Sequence, residues 1–223
     1  MFDPAEDIFG LAFENLPDNL PIFPLPGALL LPGGRLPLNI FEQRYLSMFL
    51  DSLKESRMIG MVQPTEIYGD TVPENAELFS VGCAGRLIGF SETDDGRLLV
   101  SLQGVCRFRV AEETISDDDY QRVEPDYSPF RNDMESIDIG IDRKGVNLLV
   151  REYFESQNIQ ADFQALEQIE DRLLISALGM MCPFDYREKQ ALLEAVDQAE
   201  MATILISLME MSVKTGGDIT TEQ

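Results

Sequence analysis

No histidine occurs anywhere in the 223 residues. That omission removes Ser-His-Asp and Cys-His catalysis, histidine-ligated zinc, and the side chain that most often moves protons near neutral pH. Carboxylate, lysine and lone-cysteine chemistries are what is left. Cysteine is scarce too. Cys83, Cys106 and Cys182 make an odd set with no C-x-x-C, so neither a disulfide framework nor a zinc knuckle is indicated, and buried free thiols are expected. No apolar run approaches the roughly 20 residues of a membrane-spanning helix. The first 19 residues hold five acids and no Lys or Arg, which is unlike a secretory signal, and the cytoplasm is the expected compartment. Positive charge is short everywhere: 17 Lys and Arg face 40 Asp and Glu, for a net charge of −23. The acids are spread along the whole chain, so its surface repels phosphate backbones and anionic lipid. This argues against nucleic-acid and membrane partners.

What is present begins with a hydrophobic fraction of 44% that includes 13 Phe, enough for a sizeable core. Residues 1–18 read as an acidic tail that either frays or docks its Phe and Leu on the body. Leu20–Leu25 reads as a short edge strand, because Pro21 and Pro24 cannot donate in a central ladder. Pro26-Gly27 and Gly33-Gly34 are turn signals around short apolar pieces. A helix follows, capped by Asn39 with Glu42 as reciprocal partner, or starting nearer Glu42. Leu46, Phe49, Leu50 and Leu53 form its expected buried stripe, with Ser47, Asp51 and Lys54 opposite.

A strand region comes next. Met58–Gln63 and Leu78–Phe90 alternate, Asp95-Gly96 marks a hairpin, and the return strand puts Cys106, Phe108 and Val110 on one face. Val105, Arg107 and Arg109 then point outward. Glycines 82, 85, 89 and 104 predict bends or bulges, and a further strand near Gln121–Tyr127 follows the acidic turn at 116–119. Short strands at this spacing indicate a small barrel. Thr93-Asp94-Asp95 and Asp117–Asp119 lack the calcium-loop pattern and read as solvated turns. After Pro129 the period becomes helical. One helix centres on Val146, Leu149, Val150, Tyr153 and Phe154. A long central one runs from Phe163 to Met181. Two more begin at the capping pairs Asp185/Glu188 and Asp197/Glu200. Met180, Met181, Met201 and Met209 sit on these helical stripes as core residues. The fold class is therefore α+β: a small coiled β-barrel with one helix over 19–130, a four-helix bundle over 131–215, and a loose tail over 216–223.

The run Phe23-Pro24-Leu25, Pro26-Gly27, Pro37-Leu38, Asn39-Ile40-Phe41-Glu42-Gln43-Arg44-Tyr45 resembles the entry motif of the Lon protease N-terminal, or substrate-binding, domain family. Val81-Gly82 with Arg86, Asp95-Gly96-Arg97, and Gly104 with Arg107-Phe108 resemble its second motif. The last helices are similar too, so the resemblance covers about residues 19–212. Two departures stand out: Gln43 replaces the family's usual Pro, and Asn39 replaces a common His. The resemblance implies a PUA-like barrel that binds unfolded or damaged polypeptide, as an adaptor or weak holdase in proteolysis and quality control. A protease or ATPase is a further partner class.

No phosphate-cradling G-x-x-x-x-G-K-[ST] and no serine–lysine signature occur, so no cofactor, metal or catalytic activity is expected. A carboxylate hydrolase and a small-ligand-binding barrel are the alternatives. Phe23, Pro24, Leu25, Phe41, Glu42, Arg44, Tyr45, Arg107 and Arg109 are the candidate partner-binding residues. Each also has a structural reading. Glu42 and Arg44 would fix the strand–helix junction, Phe41 and Tyr45 would pack in the core, and Arg107 and Arg109 would neutralise acidic neighbours.

Overall fold

The computed structural model describes residues 11–68, 72–73, 76–115 and 119–218, with backbone alone over 215–218. The start of the acidic tail, most of the acidic turn at 116–119 and residues 219–223 lie outside the described residues. The strands are β1 (Leu20–Pro24), β2 (Arg35–Ile40), β3 (Met58–Val62), β4 (Val81–Glu92), β5 (Leu98–Ile115) and β6 (Gln121–Asp126). Helix α1 (Gln43–Lys54) lies between β2 and β3. After a 3-10 segment, Ser128–Met134, come α2 (Arg143–Ser156), α3 (Phe163–Gln168), α4 (Asp171–Met181), α5 (Tyr186–Glu194) and α6 (Gln198–Asp218). The backbone of 216–218, expected in the loose tail, is thus the end of α6.

Hydrogen bonding runs β2-β5-β4-β3-β1-β6, and β6 also pairs with β5. The order from β5 through β4, β3, β1 and β6 therefore closes on itself, and β2 hangs from β5 as a flap. Closure needs tight bends. These fall at register shifts between Ala84 and Gly85 and between Leu87 and Gly89, at two of the glycines that signalled them. Gly104 serves close approach: a Cβ there would sit 2.1 Å from the Leu31 carbonyl oxygen.

The expected edge strand is not an edge. β1 is buried throughout and paired on both flanks, parallel to β3 through Ile22–Pro24 and antiparallel to β6 through Leu20–Pro21. The two ladders are offset along the strand, so each proline pairs on one side only, and that is how a proline strand becomes internal. The proline rule applies instead to β2, which carries Pro37 and pairs only with β5 among the described strands.

Helix α1 starts at Gln43 with Glu42 in the N-cap position, while Asn39 belongs to β2. Of the two starts read from sequence, the later one holds. Its buried residues are Tyr45, Met48, Phe49 and Ser52, and Leu50 is 53% exposed. The buried face is turned by one residue, about 100°, from the leucine stripe. Two contacts account for it: Tyr45 stacks on Phe23 at 4.2 Å, and the buried Ser52 hydroxyl donates to Met48 O at 2.7 Å.

The long central helix is two. Ile169 and Glu170 are extended, with ψ near 140° and 145°, and Arg143 braces the break by donating to Leu166 O and pairing with Asp171. Leu174 and Leu178 are buried and Met181 is exposed, whereas Met201 and Met209 are core as expected. The Asp185/Glu188 capping box forms in full. At α6 the Asp197 carboxylate accepts from Glu200 N, while Glu200 reaches back to Val196 N.

The helices are locked to the sheet by polar and apolar seams. Leu29, Leu30 and Leu31 are buried, with Leu31 lying against Gly104 of β5 and Gly179 of α4. Buried Gln63 accepts from Gly27 N and donates to Tyr186 O and to Gln190 of α5. The described part of the acidic tail docks. Leu16 is buried, and Phe13 meets Tyr127 edge-on at 6.5 Å.

Candidate functional site

The opening motif builds one place. β1 delivers Phe23 and Pro24, the Leu25–Gly27 turn follows, and β2 delivers Leu38 and Asn39. The strand–helix junction then supplies Phe41, Glu42 and Tyr45. These residues other than Gly27, with Val72, line a pocket of about 140 Å³. Turn geometry explains the convergence: Gly27 has φ of +70°, a left-handed value that costs glycine little. Leu25 N donates to Val62 O at 3.1 Å, which holds the turn against β3.

Glu42 and Arg44 are the ion pair that the junction reading expects. Both Nε and Nη2 of Arg44 donate to Glu42 Oε2, at 3.1 and 3.0 Å. Arg44 also donates to Val72 O at 2.8 Å, which ties the β3–β4 segment to the pocket wall, and its guanidinium lies 4.5 Å from the centre of the Tyr45 ring. Burial pushes the Tyr45 phenol up to about 12, so it remains a neutral, amphipathic wall. Phe41 is not a core residue: it is 56% exposed at the mouth, under the Arg97 guanidinium.

Beyond the rim lies a second, shallower and mixed polar–apolar hollow. Pro37, Asn39, Leu99, Ser101, Gly89 and Ser91 form the concave outer face of the β2-β5-β4 flap, a hollow of about 480 Å³ that shares Leu38 and Asn39 with the pocket. Leu99 and Phe90 border it at 47% and 57% exposure, and Phe90 is braced edge-on by Phe49 at 5.1 Å. Leu99 shares the outward face with Pro37 and Asn39 of β2, whereas Phe90, opposite buried Val100, turns to the other face and packs on α1. Leu99 and Phe90 were not singled out from sequence. A signal existed for Leu99: buried Val100 and Leu102 put it on the outward parity of Ser101 and Gln103.

The two downstream arginines do not join this pocket. Arg107, expected to face outward, is fully buried. Its Nε and Nη2 donate to Asp133 Oδ2 and Oδ1, each at 2.8 Å, and its Nη1 donates to the Leu193 and Ala195 carbonyls at the end of α5. Alternation failed there because both faces of β5 are covered, one by the sheet interior and one by the 3-10 segment and α5. Arg109 is exposed opposite Asp126 on β6.

The site holds no reactive constellation among the described residues, and no group of three metal-ligating side chains occurs among them. The thiols are distant from use. Burial raises Cys83 and takes Cys106 and Cys182 up to about 12. No helix is long and apolar enough to cross a membrane among the described residues.

A small mixed sheet closed on itself is joined to packed helices, with a pocket built from the opening motif. The chain belongs to the Lon substrate-binding domain family: the model of the ATP-dependent protease La (LON) substrate-binding domain matches residues 19–211. It is 26% identical over 202 residues to Lon protease 2 of Myxococcus xanthus and 27% identical over 211 residues to a Lon protease of Cytophaga hutchinsonii. Those matches take in 88% and 90% of this chain but 24% and 25% of the relatives. The chain thus spans about a quarter of their length. The fold is similar to a Lon N-terminal domain protein from Xanthomonas campestris, with TM-score 0.60 and 23% identity over 85% of this chain and 97% of that one. It is also similar to the N-terminal domain of a Mycobacterium avium complex Lon protease, with TM-score 0.64 and 16% identity over 86% and 98%.

Proposed function

We propose that this protein is a non-enzymatic polypeptide-binding module that holds unfolded segments, as an adaptor or weak holdase in proteolysis. Family membership supports polypeptide recognition. The observation that supports the placement is the convergence of the family motif on one pocket, Phe23 to Tyr45, with exposed Phe41 at its mouth and exposed Leu99 on the adjoining face of β5. Exposed contiguous apolar surface rimmed by polar groups marks interaction sites. A pocket of about 140 Å³ is small for a cofactor and suited to one large side chain of an extended chain. Three buried free thiols accord with a reducing, cytoplasmic setting.

The test is suppression of aggregation. Light scattering by a thermally unfolded client should fall at stoichiometric excess of the protein, and Phe41→Ala with Leu99→Ala should abolish the effect. Unchanged scattering with the unaltered protein would remove the holdase role and leave a specific partner. Casein turnover, with or without ATP, would refute the non-enzymatic reading.

A further inference from the structure

Resting on the polypeptide-binding reading of the pocket, we propose that it anchors a tyrosine of an extended segment and reads that side chain by its hydroxyl. The Tyr45 phenol is the group that asks for such a partner. Tyr45 is only 4% exposed and lines the pocket. Its ring packs on Phe23 at 4.2 Å and beside the Arg44 guanidinium at 4.5 Å. Its hydroxyl makes no hydrogen bond among the described residues; burial, and then the charges of Arg44 and Glu42, are what shift its titration. Tyr120 and Tyr127 are also buried, yet each donates, to Asp51 at 3.2 Å and to Pro17 O at 3.3 Å. Buried polar groups are paired as a rule, so a buried phenol without a partner points to one that arrives with a ligand.

Glu42, in the same wall, adds the complementary need. Both Arg44 nitrogens donate to its Oε2, and its Oε1 accepts nothing among the described residues. The pocket thus offers a neutral phenol as donor and a carboxylate oxygen as acceptor. One phenol hydroxyl answers both, accepting from Tyr45 and donating to Glu42. The other walls suit its ring, since Phe23, Pro24, Pro26 and Phe41 are rings themselves. A tyrosine also has only two side-chain torsions to order on binding. Phenylalanine in the same place would cover the Tyr45 hydroxyl and give it nothing. A site built around a hydrogen bond rejects the isostere that lacks it, whereas a purely apolar pocket scarcely tells the two apart.

Tyrosine and phenylalanine differ by one oxygen, on the ligand and on the protein alike, so a double-mutant cycle isolates the contact. Three fluorescein-labelled 15-residue peptides share a Ser/Thr/Val background and carry Tyr, Phe or Ala at the centre. By fluorescence anisotropy, the unaltered protein should bind the Tyr peptide at least about fivefold more tightly than the Phe peptide. Phe41→Ala should weaken both. Tyr45→Phe should bring the Tyr-to-Phe ratio below about twofold. Thermal unfolding of that variant should match the unaltered protein, because the lost hydroxyl holds nothing in the fold. If the Phe peptide binds as tightly as the Tyr peptide, both above Ala, the hydroxyl reading is overturned and the polypeptide reading stands. A Tyr preference that survives Tyr45→Phe, or a Tyr45→Phe variant that no longer folds, has the same consequence. If neither Tyr nor Phe binds better than Ala, both readings of the pocket fall.

Discussion

Arg107→Met is the sharpest perturbation the structure offers. The Arg107 and Asp133 side chains are each about 1% exposed and share two 2.8 Å hydrogen bonds. Removing the guanidinium strands a buried carboxylate with one remaining donor, the Arg107 backbone N–H at 3.0 Å. It also strips the Leu193 and Ala195 carbonyls, at the end of α5, of theirs. Breaking a buried pair from one side costs about 3–5 kcal/mol. Against a total stability of about 5–15 kcal/mol, that is about a fifth of the fold or more. In a chain of this length the midpoint of thermal unfolding should fall by roughly 6–20 °C.

The double variant Arg107→Met/Asp133→Leu should lose at least about 2 kcal/mol less than the two single losses combined, because neither member leaves an unpaired charge behind. Arg107→Lys should fall between the two, since one ammonium cannot serve both carboxylate oxygens and both carbonyls. Urea unfolding followed by circular dichroism reads the unaltered protein, the single variants Arg107→Met and Asp133→Leu, the double variant and Arg107→Lys. A loss under about 1 kcal/mol for Arg107→Met, or strict additivity in the double variant, would refute the clamp and return Arg107 to the surface.

Four further outcomes are expected. Gly104→Ala should cost about 1–3 kcal/mol in urea unfolding, because its Cβ would meet the Leu31 backbone at 2.1 Å, whereas Gly89→Ala, with nothing within 4 Å, should stay within about 0.5 kcal/mol. Native protein at pH 8 should not react with Ellman's reagent over minutes, and three equivalents should appear in denaturant, because Cys106 and Cys182 titrate near 12. The unfolded chain ionises these thiols near their ordinary value of 9.0, so the same shifts should make stability fall as pH rises above about 9. Phe41→Ala should leave unfolding within about 0.5 kcal/mol, since the ring is already 56% exposed, and should still weaken client binding; a large stability loss would mean that the ring is structural.

Local chemistry was legible in the sequence wherever one residue settles a backbone choice. Gly27 and Gly33, at φ of +70° and +77°, make the turns that Pro26-Gly27 and Gly33-Gly34 announced. Asp185 and Glu188 make the announced capping box. Alternation placed Cys106 and Phe108 inside, and the absence of histidine decided the available chemistry before any fold was known.

Coverage of a surface was not legible, because it depends on what arrives from far along the chain. Arg107 alternates like an outward residue, and only Asp133 and the end of α5, 86 residues and more away, turn its outer face into interior. β1 has the prolines of an edge, and only β6, some hundred residues on, closes its second flank. Phe41 and Tyr45 differ by one turn of chain, yet one is exposed and the other stacks on Phe23. Periodicity reports which residues share a face. Which face is wet is a property of long-range packing, and so the exposure of Phe41 at the mouth of a pocket walled by Tyr45 belongs to the tertiary structure alone.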